Sequence, residues 1–115
     1  MNRWKIWHNP RCSKSRETLE IVQNNGIEPD VVEYLKNPPT ATELKATLKL
    51  LGMKAEDLVR KSEELYKERY QGKQLTEAQW IKVLAANPVL IERPVVIIGK
   101  KALIGRPPEN VLKLL

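Results

Sequence analysis

The chain has 115 residues and a net charge of +6, from 20 Lys and Arg against 14 Asp and Glu. That length suits a single domain, residues 1–115, with a core of its own. Cys12 is the only cysteine, which excludes a disulfide-stapled secreted scaffold and points to a reducing, cytoplasmic compartment.

Residues 3–8 (RWKIWH) alternate and carry β-formers, which predicts a first strand. Asn9-Pro10 breaks it. From Ser13 the apolar positions Leu19, Ile21 and Val22 line one face of a helix that stops at Gly26. Residues 30–35 (DVVEYL) read as a second strand, and 36–39 as a loop. Thr40 with Glu43 makes a capping-box pair for a helix through Leu44, Leu48 and Leu51 to Gly52. Residues 54–59 read as a short helical turn. The charge-rich stretch 61–74 reads as a helix fragment and an exposed loop. Thr76 with Gln79 repeats the capping pattern and opens a helix through Trp80, Ile81 and Leu84, which Pro88 ends. Val95–Ile98 is an apolar run, Gly99-Lys100 a tight turn and Ala102–Ile104 a partner strand. After Gly105-Arg106-Pro107-Pro108, residues 109–115 form a final short helix.

The order is β-α-β, a helical insertion at about 40–87, then β-β-α. A helix joins the first two strands, so they should be parallel; the last two should form a hairpin. The expectation is an α/β chain with a mixed four-stranded sheet, the thioredoxin-like arrangement with a helical insertion between its halves.

The function classes narrow from here. The first residues hold an apolar run too short, and too broken by Lys5 and His8, for a signal peptide. No stretch nears the length of a membrane span. The basic residues are spread along the chain and Phe is absent, so a stacking surface for nucleic acid is not expected. One Cys and one His do not supply a metal's ligands, so no metal is expected. No glycine-rich nucleotide loop is present, so no bound cofactor is expected either.

The informative segment is His8-Asn9-Pro10-Arg11-Cys12-Ser13-Lys14-Ser15-Arg16. Cys12 falls between a strand end and a helix start. Unpaired backbone N–H groups and about half a positive charge from the helix dipole meet there. Arg11, Lys14 and Arg16 add positive charge. All of these favour a thiolate, so the thiol pKa should be depressed below its usual value of about 8.5. The competing reading is a small inert core cysteine; the polar, proline-bounded loop argues against it. The same N–H groups could cradle a tetrahedral oxyanion. Arg93 and Arg106 flank the late strands, where a guanidinium could reach an anion on that loop or simply sit in solvent. His8 could act as a cation beside Cys12 or as a structural hydrogen-bonding residue.

The stretch HNPRCSKSRETL fits Asn-Pro-x-Cys-x-x-Ser-Arg-x-x-Leu and resembles the glutaredoxin-linked arsenate reductases of the ArsC family. The segments YLKNPPT, LVRKSEELYKE, NPVLIERPVVI and GRPPENVL extend the likeness over essentially the whole chain. The resemblance implies a thioredoxin-like fold and arsenate reduction, with Cys12 as the nucleophile that forms a thiol-arsenate adduct. It implies Arg60, Arg93 and Arg106 as the oxyanion-binding arginines, and His8 and Ser15 as residues favouring the thiolate. Pro94 would be the cis-proline beside the cysteine. Glutathione would be co-substrate and glutaredoxin the partner, and a monomer is expected. With one sulfur, an outside thiol must close the cycle. Two other readings follow the same loop. The Spx regulators, which contact RNA polymerase, carry Cys-x-x-Cys, and here Ser15 stands at the second position. A thiol transferase with another substrate would keep the loop unchanged.

Overall fold

The computed structural model describes residues 3–115. The first strand, β1, spans Trp4–His8, and the expected helix α1 follows over Ser13–Asn24. Strand β2 covers Asp30–Glu33 and pairs in parallel with β1, Ile6 opposite Val31 and His8 opposite Glu33. Strands β3 (Val95–Ile98) and β4 (Lys101–Ile104) form the hairpin, and β3 runs antiparallel to β1. The sheet order is β2-β1-β3-β4, so β1 and β3 are central. β4 begins one residue earlier than the sequence suggests. Gly99 takes the turn at φ 57°, which lets Lys101 pair with Ile98 directly.

Alternation along β1 places Trp4, Ile6 and His8 on one face. Trp4 and Ile6 pack there with Val22 of α1, Val96 of β3 and Val111 near the C-terminus, all buried. Leu19, Ile21 and Leu103 close the margin of this core. The C-terminal helix is a 3-10 helix, Pro108–Leu114, rather than an α-helix. Pro107 and Pro108 lack N–H donors at its start, and short terminal helices commonly tighten in this way.

The chain divides into two compact units. One holds the sheet, α1 and the C-terminal 3-10 helix; the other is the inserted segment 38–92. Within the inserted unit, helix α2 spans Ala41–Leu51, α3 Glu64–Arg69 and α4 Glu77–Ala86. The two predicted capping boxes are both formed. Thr40 Oγ1 accepts from the Glu43 amide at 3.1 Å, and the Glu43 carboxylate accepts from the Thr40 amide at 3.1 Å. Thr76 and Gln79 reciprocate at 3.2 and 2.8 Å. Gly52 ends α2 in the left-handed conformation, which glycine adopts without a steric penalty. Leu44, Leu58, Trp80, Leu84, Leu90 and Ile91 are the largest fully buried apolar side chains described in this unit.

Ile6 is wholly buried at the centre of the sheet. Ile6→Ala should therefore cost about 2–5 kcal/mol in urea unfolding. Lys5→Ala, at an exposed position of the same strand, should stay within about 0.5 kcal/mol. Equal effects at the two positions would contradict this assignment of the core face.

Candidate active site

Cys12 is the N-cap residue of α1, with extended backbone at φ −97° and ψ 121°. Asn9 and Pro10 force the turn that brings it there. The Cys12 amide donates to the Asn9 carbonyl at 3.0 Å, and the Arg11 amide donates to Asn9 Oδ1 at 3.0 Å. The Arg16 guanidinium reaches back to the Pro10 carbonyl at 2.8 Å. Asn9 is buried; it holds the loop through both its backbone and its side chain, as Asx turns do. The sequence signalled only a strand break there.

His8 and Ser15 lie under this loop, both buried. His8 Nδ1 and Ser15 Oγ are 2.7 Å apart, and the Asn9 amide donates to the same Oγ at 3.0 Å. Burial pushes the His8 pKa down, against the pull of Glu33 and with the help of Arg16. The neutral imidazole is thus the favoured form at neutral pH. The Ser15 hydroxyl, with one proton and two lone pairs, can meet the imidazole and the Asn9 amide at once. His8 meets the cysteine loop by way of Ser15 Oγ, which also receives the Asn9 amide.

Arg93 directly precedes β3 by one proline, and Arg106 follows β4 by one glycine. The Arg93–Pro94 and Arg106–Pro107 peptide bonds are both cis. Arg106 Nη1 lies 3.8 Å from Cys12 Sγ and 3.4 Å from the Arg93 carbonyl oxygen. The Arg93 guanidinium favours the ionised form of the sulfur. Burial alone raises the Cys12 pKa. The Arg93 hydrogen bond, the Ser15 amide, the Arg93 charge and the Lys14 amide act in the opposite direction, and the net effect is a lowered thiol pKa. The Cys12 side chain makes no capping hydrogen bond to α1; an ionised sulfur is the stronger acceptor for the Ser15 and Lys14 amides. Cys12 is half-buried, so the sulfur is held yet reachable.

Five of the residues singled out in the sequence as lining the site, namely Cys12, His8, Ser15, Arg93 and Arg106, together with Pro94, belong to the sheet unit. Arg60 belongs to the inserted unit, where two carboxylates hold it. Its Nη1 is 3.1 Å from Glu92 Oε1, and its Nε is 3.6 Å from Glu63 Oε1. The ladder that fixes this cluster is short: Val59 bridges Ile91, the Arg60 amide donates to Leu90 and the Glu92 amide donates to Leu58. Glu63 was legible as an i,i+3 neighbour of Arg60; Glu92 was not. Among the described residues, no group of three or more His, Cys, Asp and Glu is placed to hold a metal ion. No helix among them is long and apolar enough to cross a membrane.

Residues 7–114 match the ArsC family. The chain is 52% identical over 112 residues to the uncharacterized protein YfgD of Escherichia coli strain K12, spanning 96% of this chain and 94% of that protein. It is 45% identical over 112 residues to an arsenate reductase of Haemophilus influenzae, spanning 96% and 97% of the two chains. Among solved structures, an arsenate reductase from Vibrio cholerae superposes with a TM-score of 0.94 at 45% identity, over 99% of this chain and 98% of that one. By the extent and identity of these matches the chain belongs to the ArsC family, built on a thioredoxin-like fold.

Proposed function

We propose that this protein reduces arsenate to arsenite at Cys12, with glutathione as the thiol co-substrate and glutaredoxin restoring the free cysteine. The observation that carries this reading is the convergence of Arg93 and Arg106 on the Cys12 sulfur at the start of α1. Relatives named as arsenate reductases support the choice of oxyanion.

The chemistry follows from the residues. The Cys12 thiolate attacks the arsenic of a bound arsenate, and one oxygen leaves as water with two protons. A cysteine S–As(V) bond replaces an As–O bond. Arg93 and Arg106 hold the oxyanion and balance its charge, which guanidinium groups do well because they stay ionised and bond in a plane. Glutathione sulfur then attacks the Cys12 sulfur. The S–As bond breaks, its electron pair stays on arsenic, and arsenite leaves as As(III). The two-electron oxidation appears as a Cys12–glutathione disulfide. Glutaredoxin thiols reduce that disulfide, because the chain has no second cysteine to do so. His8 and Ser15 act in support, fixing the loop so that the Ser15 and Lys14 amides face the sulfur. Arg60, the third arginine that the family likeness implies, is paired with Glu63 and Glu92 within the inserted unit. Together these assignments describe a monomeric cytoplasmic oxidoreductase.

Coupled NADPH oxidation with arsenate, glutathione, glutaredoxin and glutathione reductase tests the reaction. Turnover should depend on arsenate and vanish in Cys12→Ser; no arsenate-dependent rate in the wild type would defeat the substrate assignment. Arg93→Ala should weaken arsenate binding by about tenfold, the scale of one lost charge-assisted bond. Arg60→Ala should weaken it less, since two carboxylates already occupy that guanidinium; an equal or larger loss would give Arg60 the greater share. The depressed thiol pKa has a further consequence. A thiol with a folded pKa below its unfolded one stabilises the fold fully above the unfolded value, and that stability is lost as pH falls through the folded value. The stability of wild type minus Cys12→Ser should therefore grow with rising pH across that window. A flat or falling difference in pH-resolved urea melts would contradict it.

A further inference from the structure

Four glycines, Gly26, Gly52, Gly72 and Gly99, adopt positive φ, and turn geometry accounts for them. Gly105 does not. It is buried, and a Cβ placed on it would lie 2.7 Å from Thr18 Oγ1, 2.8 Å from Thr18 Cγ2 and 3.0 Å from Pro94 Cγ. None of these atoms is the free end of a flexible chain. Thr18 is β-branched, sits mid-helix and is wholly buried, so its rotamer is stiff. The Pro94 ring is fixed to the backbone. Only a hydrogen fits on this side of residue 105.

The contact is also bonded. Thr18 Oγ1 lies 3.1 Å from the Gly105 carbonyl oxygen and 2.8 Å from the Lys14 carbonyl oxygen, and its single proton serves both acceptors. The Gly105 amide donates to the Pro94 carbonyl at 2.9 Å. Each partner neighbours the site. Lys14 supplies one of the amides that favour the thiolate, Pro94 follows Arg93, and Gly105 is joined directly to Arg106, whose Nη1 stands 3.8 Å from Cys12 Sγ.

We propose that Thr18 and Gly105 are positioning residues: the close, side-chain-free approach of Gly105 to α1 sets the depth at which the Arg106 guanidinium meets the Cys12 sulfur and its oxyanion. The proposal deepens the reading of Cys12 as an oxyanion-attacking thiolate and rests on it for any effect on turnover. A Cβ at residue 105 pushes the backbone away from α1, and Arg106 moves with it. The thiolate and the bound anion then lose one guanidinium while α1 keeps its amides in place.

The test reads the sulfur directly, so that it does not depend on which oxyanion is reduced. Iodoacetamide alkylation of Cys12 is followed against pH, and inorganic sulfate is titrated as a protecting anion. Wild type, Gly105→Ala, Arg106→Ala and the double variant are compared. Gly105→Ala should weaken sulfate protection by about tenfold and move the alkylation profile to higher pH, the size of losing one charge-assisted bond. In the Arg106→Ala background the same change should add less than about twofold, because coupled residues are not additive. Adding Thr18→Ala to Gly105→Ala, which removes both clashing Thr18 atoms but also the hydroxyl donor, should recover part of the lost protection and leave about the threefold loss of the missing donor. Should Gly105→Ala fail to fold, Thr18→Val carries the test: it keeps the bulk, removes the donor, and should weaken protection about threefold in wild type and not in Arg106→Ala. Unchanged protection in Gly105→Ala, or an equal loss in both backgrounds, overturns the proposal. Absence of arsenate turnover alongside the expected pattern at the sulfur supports the positioning role and overturns only the substrate reading.

Discussion

A thiol drawn partly out of water holds its proton more tightly, because the charged form loses hydration. The site of this protein works against that tendency at one atom. Around Cys12 Sγ, the Arg93 hydrogen bond, the Ser15 and Lys14 amides and the Arg93 charge together outweigh burial, and Arg106 adds a second guanidinium. The same groups would also stabilise a tetrahedral oxyanion arriving beside it, so in the proposed reaction binding and activation of the nucleophile are one electrostatic arrangement.

The fold supplies that arrangement from elements far apart in the chain. β1 ends at His8, the Asn9-Pro10 turn reverses the backbone and α1 starts with its amides directed at the loop. The hairpin partner strands bring in the arginines, one before β3 and one after β4. Strand pairing thus places residues 93 and 106 on the same end of the sheet unit as residue 12. Beneath the loop, the neutral His8 and Ser15 satisfy each other and the Asn9 amide. A buried polar network of this kind is rigid when every member is paired. A mobile loop would lose the alignment of two amides and two guanidinium groups at once.

What the sequence revealed was largely local. The capping pairs Thr40–Glu43 and Thr76–Gln79 span three residues, and their partners are bonded as expected. Cys12 stood out because a proline turn and a helix start bracket it within a few positions. Arg93 and Arg106 were named through family resemblance, since an arginine beside a strand is more often solvated than bound. Long-range contacts stayed hidden. The Arg60–Glu92 pair bridges 32 positions and Thr18–Gly105 bridges 87. Gly105 read as a strand breaker, because sequence shows a missing side chain but not the neighbour that excludes one. The charge state of His8 depends on burial, which only the packed sheet decides.

Reactivity at this site turns on the ionisation of one sulfur. Because Cys12 is the only cysteine, the ultraviolet absorbance of thiolate in the native protein, corrected with Cys12→Ser, reports that group alone. Titrated beside the same chain unfolded in urea, the native inflection should fall below the unfolded one. An inflection at or above the unfolded value would mean that burial outweighs the converging cations, and the proposed chemistry would lose its nucleophile.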